Sequence, residues 1–265
     1  MKIKRIVKAL TAGFVLASSA SFAGAATIDV GGVNFDPTSP FDFVTHGGLF
    51  EQVISHLGDT VQGFGLINNI NQMTQSSQFC PTCQLTYTFG GFQLIDSDPA
   101  HLTFTGGWVN FYVQDTSAAN YTAYDATKSG GNAGDGTLWL SLVGHTDTRA
   151  GYSDPGTLFG KIDSGTLGTG TERGQGGGLL DVTGGLAAQN INTNSQVDSD
   201  GGLADLNFTS TFLPTQPGAV TAGAPPLTGD ATFTGNSIPE PTTVLLLGIG
   251  LCAVGYAGKQ RQGRG

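Results

Sequence analysis

Two clusters of side chains in this sequence have the types and spacing for local chemistry. Cys80-Pro81-Thr82-Cys83 is a C-x-x-C pair. Such a pair works as a redox couple, as half of a metal site or as a structural disulfide. Redox work calls for a helix start in a thioredoxin-like unit, but an alternating strand pattern follows here at residues 84–89. Zinc would need a second such pair, which the sequence lacks. Export favours oxidation, so Cys80 and Cys83 are expected to form a small disulfide that pins the entry to that strand. The second cluster is Asp198-Ser199-Asp200-Gly201-Gly202 with Asp205. Carboxylates at alternate positions before glycine can turn several oxygens onto one calcium ion. Asp198, Asp200 and Asp205 are therefore the candidate calcium ligands. The EF-hand register fails, because it puts Asn207 where Glu belongs. A polar loop held by side-chain-to-backbone bonds is the competing reading.

The other chemistry-bearing residues form no motif. His46, His56, His101 and His145 have no helix-face metal spacing, and neither H-E-x-x-H nor G-x-S-x-G occurs. A glycosidase needs only two carboxylates at the right separation. Most acids here sit beside Gly, Pro or Asn in turns, and only Glu51 and Glu172 are Glu in the body of the chain. The expectation is a protein without catalytic residues, and a secreted polysaccharide hydrolase is an alternative. Trp108, Phe111, Tyr112, Tyr121, Tyr124, Trp139 and Tyr152 are candidates for a sugar-stacking platform or for core.

The elements that must position these residues are strands. Gly makes up 42 of the 265 residues and charged residues only 12%, with no G-X-Y period. Leu85, Tyr87 and Phe89 alternate with Thr86 and Thr88, and Leu102 and Phe104 repeat the pattern. Gly106-Gly107 fits a two-residue turn into a strand at 108–113. Leu138, Leu140 and Leu142 oppose Trp139 and Ser141. Leu206, Phe208 and Phe212 lie on a Thr/Ser-rich strand, and a last strand surrounds Phe233. Leu49, Val53 and Leu57 have helical spacing, with a strand as the alternative there. Residues 128–202 are glycine-rich and read as long loops around short strands. The fold expected is all-β, an antiparallel β-sandwich or jelly roll with Gly-rich loops. A Pro/Gly/Thr-rich linker is expected at 214–236 after a β-rich domain at 26–213.

Charge narrows the partners. The net charge is −9, but residues 27–238 hold four basic against 19 acidic residues, a balance of −15. Such a surface repels phosphate backbones, so nucleic acid is not expected as a partner.

Both ends read as addresses. Residues 1–25 have a basic start, an apolar stretch at 9–20 and small residues after it, which marks a signal peptide. Cleavage is expected among Ala23, Ala25 and Ala26. At the other end Pro239-Glu240-Pro241 precedes an apolar run at 244–256 and the basic residues Lys259, Arg261 and Arg264. The run is too short for a comfortable span and is expected to form one short hydrophobic helix. This tripartite tail, residues 237–265, resembles the PEP-CTERM sorting domain of Gram-negative bacteria. The same tail is also called the C-terminal domain of ice-binding proteins, a label that describes the tail alone. The resemblance implies recognition and processing near Pro239, Glu240 and Pro241 by exosortase. It also implies transient membrane insertion, an inner-membrane intermediate, and delivery to the cell surface or exopolysaccharide matrix. The function expected is that of a non-enzymatic surface or matrix protein. A lectin-like polysaccharide-binding module, calcium-dependent or not, is the nearest alternative.

Overall fold

The computed structural model describes residues 27–37, 43–98, 101–116, 132–215 and 225–238. The expected signal peptide with Ala23, Ala25 and Ala26, the sorting motif and the apolar tail helix lie outside the described residues, as do Tyr121 and Tyr124. A hairpin of β1 (Ile28–Val30) and β2 (Val33–Phe35) comes first. The main sheet contains β3 (Phe43–Glu51), β4 (Thr60–Ile70), β5 (Met73–Thr74), β6 (Cys83–Asp98), β7 (His101–Asp115), β8 (Thr137–His145), β9 (Leu158–Ser164) and β10 (Arg173–Gly184), and later β13 (Leu206–Pro214) and β14 (Leu227–Gly235). Between them lie one helical turn, α1 (Ala188–Ile191), and the small pair β11 (Gln196–Val197) and β12 (Leu203–Ala204).

The sheet closes on itself. Going round, β3 pairs β4, β4 pairs β6, β6 pairs β7, β7 pairs β8, β8 pairs β10, β10 pairs β13, β13 pairs β14, and β14 returns to β3, all antiparallel. This is an eight-stranded up-and-down barrel rather than the expected sandwich or jelly roll. Alternation of apolar and polar residues is the same in both architectures. The distinction lies in the last strand, which pairs with β3 along nine residues and removes both sheet edges. β9 also pairs with both β10 and β7, and it continues the direction of β8. The two form one interrupted staff of the barrel, with residues 146–157 as an excursion from the wall.

Several local expectations change for physical reasons. Gly106 and Gly107 do not turn the chain, because β7 runs straight through them. Their φ angles of 70° and 87°, and 73° at the facing Gly91, bend two neighbouring strands at one level. Strands of 15 and 16 residues need such a bend to follow a barrel. β6 and β7 instead stay paired as far as Asp98 and His101, and residues 99–100 between them lie outside the described residues. At Trp139 the register of β8 slips by one against Phe111 and Tyr112. The bulge turns Trp139 inward and leaves Leu138 38% exposed, although alternation puts Leu138 with Leu140 and Leu142. The helical spacing at Leu49 yields a strand that ends at Glu51, and Leu57 is exposed. Two changes concern the glycine-rich regions. Residues 174–178 pair as part of β10, and β14 occupies the second half of the expected linker.

The chain closes one end of the barrel with aromatics. Phe35 meets Phe43 and Trp139 edge-on, Phe43 stacks on Trp139, and the indole N–H donates to the Val30 carbonyl at 2.9 Å. Burying rings of this size contributes several kcal/mol each, at about 25 cal/mol per Å². The described body begins beside this plugged end and also leaves from it. β14 finishes there at Gly235, and Ile238 exchanges hydrogen bonds with Asn190 just beyond, its N–H donating at 2.7 Å and its carbonyl accepting at 3.3 Å.

Candidate functional site

The opposite end of the barrel stays partly hollow. Gly176 of β10 and Gly160 of β9 carry no side chains into the lumen, and both line a cavity of ≈ 60 Å³. Its walls are Val61, Phe89, Phe92, Leu102, Phe104 and Leu158 among other apolar residues. Two carboxylates enter it, Glu51 from the end of β3 and Glu172 from just before β10. Glu172 is 2% exposed. Its Oε1 accepts the Gly168 N–H at 3.2 Å, and its Oε2 has no hydrogen-bond partner among the described residues. Glu51 as a residue is half-buried because it lines the cavity, but its carboxyl is walled in. Burial first, and then the charge of Glu172, push that carboxyl up to about 8. The pairing of the two Glu residues of the body has no local signature, since 120 residues separate them. Their rarity is the one signal in the sequence.

A second concavity lies on the outer wall. β9, β10, β13 and β14 present two outward rows here. One runs Lys161, Gln175, Thr211, Asp230, and the next runs Phe159, Gly177, Thr209, Thr232. The missing side chain at Gly177 makes the floor of a groove of ≈ 460 Å³. A Cβ there would meet the Phe208 carbonyl at 2.9 Å, so the strand has no room for one without moving. The excursion between β8 and β9 supplies the rim. Arg149 lies over the Phe159 ring, 4.7 Å from its centroid, and Tyr152 packs edge-on against Phe159. The Tyr152 hydroxyl donates to the Gly160 carbonyl at 3.1 Å, and burial holds its pKa above the usual tyrosine value. Of the four cations between residues 27 and 238, Arg149 and Lys161 line this groove.

The expected calcium ligands part company. Both oxygens of Asp205 accept backbone N–H groups, from Val182 at 2.7 Å, Thr193 at 2.7 Å and Asn194 at 2.8 Å. Asp198 turns to His145, whose Nε2 lies 3.1 Å away, while His145 Nδ1 meets Asp181 at 2.9 Å. Asp200 bonds the Thr148 hydroxyl at 3.0 Å. Among the described residues no group of three or more His, Cys, Asp or Glu side chains is placed to hold a metal. Burial disfavours a charged His145, but the hydrogen bonds to Asp181 and Asp198 outweigh it and hold its pKa above the ordinary value. The His145 hydrogen bond holds the Asp198 carboxyl below its usual range against a smaller effect of burial, and backbone N–H groups add to this. These bonds tie the 198–202 loop to the barrel wall.

Cys80 and Cys83 are joined in a disulfide with Cα atoms 4.9 Å apart, and Cys83 opens β6. Of the candidate platform aromatics, Phe111 and Trp139 are fully buried, Trp108 is 39% exposed across the bend at Gly90 and Gly91, and Tyr152 stands at the groove.

These features define an all-antiparallel β-barrel with closed walls, one plugged end and one hollow end. Residues 237–262 match the family model of the PEP-CTERM protein-sorting motif. The chain thus carries a PEP-CTERM sorting motif, which implies export through the cell envelope and sorting through exosortase. No curated protein and no solved structure matches the chain. Among the described residues no helix is long and apolar enough to cross a membrane.

Proposed function

We propose that this exported protein is a non-enzymatic component of the cell surface or exopolysaccharide matrix, and that its barrel meets polysaccharide along the outer groove. The groove is the observation that supports this reading. It is long enough to follow four strands, and its Thr, Ser, Asn and Gln side chains offer donors and acceptors suited to sugar hydroxyls. Tyr152 offers an apolar face, and Arg149, Lys161 and Asp230 offer charge-assisted hydrogen bonds. The reading uses no metal. The Glu51–Glu172 pair does not favour the hydrolase alternative, since a sugar ring is larger than a cavity of ≈ 60 Å³.

Affinity electrophoresis of the purified protein through gels holding neutral or acidic polysaccharide tests the proposal. Retardation in at least one gel is expected, weakened by about tenfold when Arg149, Tyr152 and Lys161 are together changed to Ala. Equal migration in every gel and in its absence sinks it. Intact mass of protein recovered from the cell surface tests its sorting half. Loss of the residues after the Pro-Glu-Pro motif is expected, and an intact tail through Gly265 contradicts processing.

A further inference from the structure

The groove leaves the hollow end of the barrel without a role. We propose that the cavity there binds a small alkyl amine, with the ammonium group on Glu172 and Glu51 and the alkyl chain among the aromatic and aliphatic walls.

Three observations carry the proposal independently of the groove. The first is the carboxylate Oε2 of Glu172. It belongs to a residue that is 2% exposed and lines the cavity, and it has no hydrogen-bond partner among the described residues. An uncompensated buried carboxylate is costly, so a donor from outside the chain has much to gain there. The second is the sign of the site. Among the described residues no Lys, Arg or His lines the cavity, so none of them supplies a counter-ion there. Burial and then Glu172 also disfavour a charge on Glu51, so two carboxyl groups crowd one end of the cavity. A cation is attracted to such a pair, and an ammonium brings three N–H donors, one of them for the Glu172 oxygen that lacks a partner among the described residues. The third is shape. The walls are apolar and the volume of ≈ 60 Å³ takes a handful of water molecules or a chain of about four carbons. A bare metal ion would find two carboxylates and few other oxygens in these walls, whereas an alkyl amine satisfies both the charge and the apolar surface.

The test is a ligand series titrated calorimetrically into the full-length protein in mild detergent near neutral pH. n-Butylamine is the probe. n-Butanol keeps its chain without the charge, and methylamine keeps the charge without the chain. Saturable binding of n-butylamine is expected, with both controls at least about tenfold weaker. Glu172→Gln should remove the preference for the amine over the alcohol. No saturable binding of n-butylamine overturns the proposal. Equal binding of n-butanol also overturns it, since the cavity is then merely apolar. Equal binding of methylamine overturns the role of the walls, and an unchanged preference in Glu172→Gln overturns the role of that carboxylate. Should the variant fail to fold, the three ligands on the unaltered protein decide alone.

Discussion

The two ends of the barrel are built from the same alternating strands, yet one is solid and the other hollow. At the plugged end Phe35, Phe43 and Trp139 fill the lumen, and the one polar atom of the indole is matched by Val30. At the hollow end Gly160 and Gly176 stand where side chains would fill the lumen, and a buried carboxylate oxygen has no partner among the described residues. An eight-stranded barrel is just wide enough to be filled by its own side chains or to hold one small ligand. This molecule does the first at one end and leaves room for the second at the other. Tight packing and the proposed amine site thus fall at opposite ends of one continuous wall.

The largest effect expected on that contrast is at Trp139. Trp139→Ala should cost about 3–5 kcal/mol in urea unfolding, whereas Val61→Ala on the cavity wall should cost about 1–2 kcal/mol, because there the surroundings already contain space. Equal losses would erase the distinction between the ends. Next comes the pH dependence of Glu51. Its folded pKa lies above its unfolded value, so the protonated form favours the fold. That contribution is complete below about 4.5 and is lost as pH rises through about 8. Glu51→Gln removes this loss, and the variant should exceed the parent by about 2–4 kcal/mol at pH 8 while matching it near pH 4. Identical pH profiles of melting temperature would refute the enclosed carboxyl.

Smaller effects sharpen the comparison. At Gly160 a Cβ would meet Leu102 at an ordinary 3.4 Å, and no positive φ stands in the way. Gly160→Ala should therefore narrow the cavity and add about 0.5–1 kcal/mol, measured by the same unfolding titration. The smallest lies outside both ends. The raised pKa of His145 gives the 198–202 loop support that is full below the ordinary histidine value and is lost as pH rises through the folded value. The lowered pKa of Asp198 gives support that is full above the ordinary aspartate value and is lost as pH falls through the folded one. The tie is complete between those two ordinary values. Titration of the His145 ring by NMR should show a midpoint above about 6.5 that Asp198→Asn lowers.

Strand residues were legible in the sequence where one rule governs both faces. Leu85, Tyr87 and Phe89 point inward as alternation requires, and Leu206 and Phe208 do the same. Alternation misplaced Leu138 because a bulge is a relation between two strands, and nothing within residues 137–145 reports the slip against Phe111. Gly106-Gly107 has the composition of a turn, but the facing Gly91 makes it a bend, and that partner is known only once the strands pair. Closure was hidden for the same reason, since it depends on β14 meeting β3. The cavity was the least legible feature. It is defined by absent side chains and by two Glu residues far apart in the chain. The sorting tail was the most legible, because its signal is contiguous.

The exit of the chain at the plugged end has a mechanical consequence. A pull applied at Ile238 along β14 meets that strand after the clamp between Ile238 and Asn190 has yielded. β14 is paired on both sides, with nine residues against β13 and nine against β3. Hydrogen bonds in antiparallel ladders lie across the strands, so such a pull shears both ladders together instead of unzipping them one bond at a time. A pull applied at Ile238 therefore loads the barrel where both ladders must yield at once.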